Sequence, residues 1–288
     1  MKNLEFKNGF ETISYDDLKL SLDEKMVSGK SINGMNHVDF IGEIENILSR
    51  SLKPEIEEII VSNSGPSKTP GVSLLPYIEA IKGPKAIEAH VFRRLITSFL
   101  VKSGDPEWDT KFAISYNQAG IDIAMGAHVN ICSNLSIFGY ENYASTRQMP
   151  IEKIFEVVSD WVTNYEKKIE FLTTIMTKLK STFINLDQAF QFIGLMTGIR
   201  VEKDSTIIKD YVNQNKIYPL NQGQISKFTE DVLIKYSETE DNVISAYELY
   251  NSGTNLHKAS NMEIINIIPQ NIDFGMNVMS FIDNKILV

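Results

Sequence analysis

The chain has a single cysteine, Cys132, among 288 residues. A lone thiol excludes an internal disulfide and a zinc site built on cysteines. No window reaches the roughly 18 uninterrupted apolar residues that a membrane-crossing helix needs. The opening residues Met1-Lys2-Asn3-Leu4-Glu5-Phe6-Lys7 carry no apolar core of the secretory kind. A reducing cytoplasm, with no membrane partner, is therefore the expected setting. Positive charge is scarce too: 28 Lys and Arg face 37 Asp and Glu, a formal net charge of −9. Proteins that hold duplex nucleic acid through its phosphates usually carry a basic surface, so a dedicated duplex binder is disfavoured. What is present is ordinary globular material, 43% hydrophobic and 23% charged, enough for one large core or two modest domains.

The clearest pattern lies between Pro150 and Phe183. Ile151, Phe155, Val158, Val162, Tyr165, Ile169, Leu172, Met176, Leu179 and Phe183 recur at alternating steps of four and three. The spacing predicts one helix whose seam packs on another helix. Pro150 suits its first turn, and neither Gly nor Pro interrupts it. At 1.5 Å per residue the rod would run about 50 Å. Its lysines Lys153, Lys167, Lys168, Lys178 and Lys180 are matched by Glu152, Glu156, Asp160, Glu166 and Glu170, a mixed solvated face. The seam either is covered by later helices of the same chain or joins two copies through residues 151–183.

Before the rod, residues 36–52 read as an amphipathic helix on Val38, Ile41, Ile44 and Leu48, with Asn36 as its cap. Residues 56–61 read as a strand and 62–71 as a loop with two Pro and two Gly. Residues 90–101 are β-branched and aromatic, and Ser103-Gly104-Asp105-Pro106 closes them with a turn. Phe112, Ile114 and Tyr116 alternate, then Ile121, Ile123, Met125, Val129 and Ile131, the period of half-buried strands, with Asn117-Gln118-Ala119-Gly120 as a hairpin connection. After Gly139 helices follow: the rod, then 186–195 with Asn185 or Asp187 at its start, 205–214, 222–236, 242–250 and 261–282, the last interrupted by Pro269. No internal repeat is visible. Strands first and helices afterwards predict an α+β fold. Residues 1–145 form a mixed part with an antiparallel sheet and 146–288 a helical part, either two domains or one continuous one.

Few residues suggest chemistry. Ser28-Gly29-Lys30-Ser31 resembles the end of a phosphate loop, but Glu24 stands where its first Gly belongs. Asp122, His128, Asn130, Cys132 and Asn134 share one face of a strand pattern, so Cys132 is the best candidate nucleophile. In a continuous strand, however, His128 and Cys132 stand about 13 Å apart. A small buried hydrophobe is the simpler role. His37, His90 and His257 show no metal-ligand spacing. Asp16-Asp17 and Glu57-Glu58 are explained by solvated faces. No enzyme, metal or cofactor is expected. The densest basic group is Lys82, Lys85, Arg93, Arg94 and Lys102, close to Phe92 and Phe99. Cations for phosphates and rings for bases are what a single-strand nucleic-acid platform uses. Arg93 and Arg94, adjacent in a strand, point to opposite faces, so only part of the group can form one patch.

Three stretches together resemble a known family. They are Val129-Asn130-Ile131-Cys132-Ser133-Asn134-Leu135, then Leu186-Asp187-Gln188-Ala189-Phe190-Gln191-Phe192-Ile193-Gly194, then the run from Ala246 through Tyr250, Asn251 and Thr254 to Lys258. In this order they are similar to the uncharacterised phage- and plasmid-like proteins of bacterial mobile elements, in the form common in Bacteroidetes. That family shows Cys-x-Asn after its strands, here Cys132 and Asn134, and a helical tail with Tyr-Asn followed by Thr, here Tyr250, Asn251 and Thr254. Tyr247 stands where the family has Trp. The resemblance implies a gene carried by a phage, prophage or plasmid and carries over no activity.

The expectation is a non-catalytic phage or mobile-element protein that binds single-stranded DNA in replication or recombination. The alternative is a protein-interaction factor, a counter-defence inhibitor or virion assembly component, working through its acidic surface and long helix on a host or phage protein.

Overall fold

The computed structural model describes residues 11–16, 18, 35, 37–57, 59–62, 94–103, 108–117, 120–129, 135–136, 140–201, 219–259 and 267–284. The fold is α+β, with an antiparallel sheet in the N-terminal half and helices in the C-terminal part. Of the predicted loop over 62–71, Ser62 ends a strand and the rest lies outside the described residues, as do the helix over 205–214 and the phosphate-loop-like Ser28-Gly29-Lys30-Ser31. Among the described residues no helix is long and apolar enough to cross a membrane. The chain separates into two compact units.

The first unit comprises Met1–Asp105, Asp109–Met125 and Tyr143–Tyr165. Its strands are β1 (Glu11–Ile13), β2 (Pro54–Ile56), β3 (Ile59–Ser62), β4 (Arg94–Val101), β5 (Trp108–Asn117), β6 (Gly120–Val129) and β8 (Tyr143–Ser145). They lie in the order β1-β3-β4-β5-β6, with β2 also on β4 and β8 also on β6. The expected strand over 56–61 is thus two short strands. Across β4 and β5, Leu95 faces Tyr116, Thr97 faces Ile114, Phe99 faces Phe112 and Val101 faces Thr110. All eight side chains are buried, so this face is core. Helix α1 (His37–Ser49) buries Phe40, Ile41, Ile44, Ile47 and Leu48 and packs on α2 (Ile151–Thr163), where Phe40 meets Phe155 at 5.7 Å.

β6 departs from its expected half-burial: residues 121–127 are buried at every position. Apart from Asp122, the even side carries Ala124 and Gly126, small enough to be covered on that face as well.

The predicted rod is two helices, α2 and α3 (Tyr165–Ser181), and it breaks at Asn164, whose backbone (φ −102°, ψ 21°) is not helical. Asn164 closes α2 on itself: its N–H donates to the Asp160 carbonyl at 2.9 Å and its Nδ2 to the Asp160 carboxylate at 2.9 Å. A short amide side chain competes for backbone partners in this way, and the heptad count does not register it. The buried residues of α2 are Ile154, Val158, Trp161 and Val162, so Ile151 and Phe155 of the expected seam are only partly covered. Phe183 lies in no helix at all. It opens a strand and is exposed. Residues 151–183 are thus not one continuous helix.

The second unit comprises Pro106–Trp108, Gly126–Asn142 and Glu166–Val288. Helix α2 groups with the sheet in the first unit. The further elements of the second unit are β7 (Leu135–Ser136), β9 (Phe183–Asn185), α4 (Leu186–Val201), α5 (Gln222–Ser237), β10 (Val243–Ser245), α6 (Ala246–Ala259) and α7 (Ile267–Asn284). β7 pairs with Ala127 and His128 at the end of β6. Pro269 does not interrupt α7. It sits in the first turn, where the missing N–H has no helical partner to lose.

A repeat that the sequence does not display organises this unit. The helix–strand–helix α3-β9-α4 recurs as α5-β10-α6, and the two strands pair antiparallel with Ile184 opposite Ile244. Each strand ends in a capping box. Asn185 accepts the Gln188 N–H at 2.9 Å while Gln188 accepts the Asn185 N–H at 3.0 Å, and Ser245 and Glu248 repeat the exchange at 3.1 and 2.7 Å. Tyr236 of α5 donates to the Ile184 carbonyl at 2.7 Å, which ties the second copy to the first.

The core of the second unit centres on Phe274 of α7. Its ring meets those of Phe192 (5.9 Å), Phe228 (5.7 Å), Tyr250 (6.0 Å) and His257 (6.1 Å), three of them edge to face. Edge-to-face pairs are the favoured aromatic geometry and add to the burial of the rings.

Candidate functional site

Of the expected nucleic-acid group, Lys82, Lys85, Phe92 and Arg93 lie outside the described residues, and so does the side chain of Arg94, which opens β4. Lys102 follows β4 and its ammonium sits 2.9 Å from Asp109, whose carboxylate is almost wholly buried. This hydrogen bond, more than any other influence, raises the Lys102 pKa. Phe99 is fully buried in the sheet core, so it offers no ring for a base. On the other face, Lys111 pairs with Glu57 at 2.6 Å and Ser98 donates to the same carboxylate. The described part of β4 therefore offers neither a free cation nor an open ring.

The first unit holds a buried ionic site that joins Asp122 to Tyr143 and Arg147, partners that strand spacing does not reveal. Asp122 is fully buried, accepts the Tyr143 hydroxyl at 2.7 Å and pairs with Arg147 at 2.5 Å. Arg147 also donates to the hydroxyls of Tyr143 and Ser145, each at 3.3 Å. The Tyr143 pKa is raised, first by burial and then by the Asp122 charge, so its hydroxyl stays protonated. A carboxylate in an otherwise apolar strand was the available signal. It satisfies its charge inside the fold, which is the work of a structural pair.

Cys132 and Asn134 lie outside the described residues. β7, which begins one residue after Asn134, lies against α7. Tyr250, Asn251 and Thr254 are all buried on α6, which packs on α7. Around them the two helices bury Ser252, His257, Gln270, Asn271, Asp273 and Asn277, a polar content that is high for a core. Several of these groups turn back on their own helix: Thr254 Oγ1 donates to the Tyr250 carbonyl (3.2 Å), Ser252 Oγ to that of Glu248 (3.0 Å) and Asn277 Nδ2 to that of Asp273 (2.7 Å).

His257 links three segments. Its Nε2 is 2.6 Å from the Pro219 carbonyl and its Nδ1 is 2.6 Å from the Asn271 amide. Both partners are oxygens, Pro219 O and Asn271 Oδ1, and an oxygen only accepts, so each favours an N–H on the ring nitrogen that it faces. Burial lowers the His257 pKa against the opposing effect of both partners. These geometries describe a polar core that holds the helices in register.

Two helix–strand–helix copies joined by a short ribbon are also how paired calcium-binding helix–loop–helix motifs are built. In residues 237–248 the positions that would supply side-chain ligands hold Ser237, Thr239, Asp241 and Glu248, and Asn242 has the left-handed backbone (φ 52°) of the sharp turn. The donors do not fit. Only two are carboxylates, Ser237 and Thr239 donate to the carbonyls of Ile234 (2.6 Å) and Tyr236 (3.1 Å), and Glu248 is held in its capping box. In the first copy Thr182 alone separates α3 from β9, too short a link for a ligand loop. Among the described residues no group of three or more His, Cys, Asp and Glu could hold a metal ion.

Surface apolar side chains are distributed unevenly. Among the described residues Phe171, Phe183, Phe190, Leu233, Ile234 and Met276 are exposed in the second unit, against Ile60 alone in the first. Phe183 is 66% exposed on β9 and Phe190 is 47% exposed on α4. No family, curated protein or solved structure matches the chain.

Proposed function

We propose that the chain is a non-catalytic phage or mobile-element protein that binds another protein through the apolar surface of its second unit. The observation that carries this reading is the placement of six exposed large apolar residues on that unit, with Phe183 and Phe190 the most open aromatics. Single apolar residues on a surface are ordinary, and these six are spread over α3, β9, α4, α5 and α7; it is their gathering on one unit that favours that unit as the one that meets a partner. The mobile-element setting is taken from the resemblance of the Cys132, Phe190 and Tyr250 stretches. The acidic balance of the chain, −9, suits a protein partner better than a phosphate backbone.

Capture from host lysate tests the proposal, with the tagged chain compared with its Phe183→Asp/Phe190→Asp variant and both treated with nuclease. Retention of one protein by the parent chain and its loss from the variant is the expected result. Salt-dependent retention of single-stranded oligonucleotide, with capture indifferent to the substitutions, would return the assignment to Lys82, Lys85, Arg93, Arg94 and Lys102.

A further inference from the structure

We draw no further inference here: the strongest candidate, the exposed face of α4 around Phe190 and Gly194, where Phe190-Gln191 stand as Tyr250-Asn251 do on α6, is an unpartnered surface, and nothing in the structure shows what covers it.

Discussion

The ring of Phe274 fills the space that a side chain on Gly253 would take, so that a Cβ there would overlap its Cζ and Cε atoms. Gly253 sits on α6 at its crossing with α7, and its lack of a side chain is what brings the two helices together. Gly253→Ala should therefore push α7 away and cost about 1–3 kcal/mol by overpacking. Gly194→Ala should do the opposite, gaining up to about 1 kcal/mol, because the new methyl has no neighbour within 4 Å among the described residues and Ala is the better helix former. Urea unfolding of the two variants reads both signs.

Truncating the hub itself should be costlier. Phe274→Ala removes four ring contacts from a fully buried position and should lose about 3–5 kcal/mol. Near-ultraviolet circular dichroism would show loss of fixed aromatic packing in the same variant.

The pH response should run through His257. Its folded pKa lies below its ordinary value, so below about pH 6.5 the unfolded chain takes up a proton that the folded chain refuses. The stability from this group is complete above that pH and is lost as pH falls towards the folded pKa. Each pKa unit of separation is worth about 1.4 kcal/mol. His257→Leu should flatten this part of the slope in melts at pH 5 to 7.5, and an unchanged slope would assign it to another group.

In the first unit, Asp122→Ala leaves Arg147 and the Tyr143 hydroxyl without their acceptor. Breaking a buried pair from one side typically costs about 3–5 kcal/mol. Arg147 is partly exposed at 28%, so water can reach it and the loss should fall at the low end. The double variant Asp122→Ala/Arg147→Met should recover part of that loss in thermal melts.

Much of the framework was legible in the residues, and the failures have physical causes. Alternation placed β5, because Phe112, Ile114 and Tyr116 do share a buried face. It overstated the exposure of β6, since Ala124 and Gly126 bury without announcing themselves as apolar positions. The heptad seam ran through Asn164 because periodicity counts apolar side chains and ignores an amide that caps its own helix. The repeat stayed hidden because the halves share little beyond Ile184 and Ile244, two capping boxes and an aromatic–amide pair, and the second loop is longer. Of the residues that carried the resemblance, Tyr250, Asn251 and Thr254 are buried and Phe190 is exposed, and no single-sequence pattern reveals that exposure.

The central claim, protein binding through the second unit, is tested most directly by quantifying what the nuclease-treated parent chain and its Phe190→Asp variant each retain from host lysate. The account predicts one retained protein at a fixed ratio to the parent chain and its loss from the variant. Equal retention by both, or loss of the captured protein on nuclease treatment alone, would contradict it.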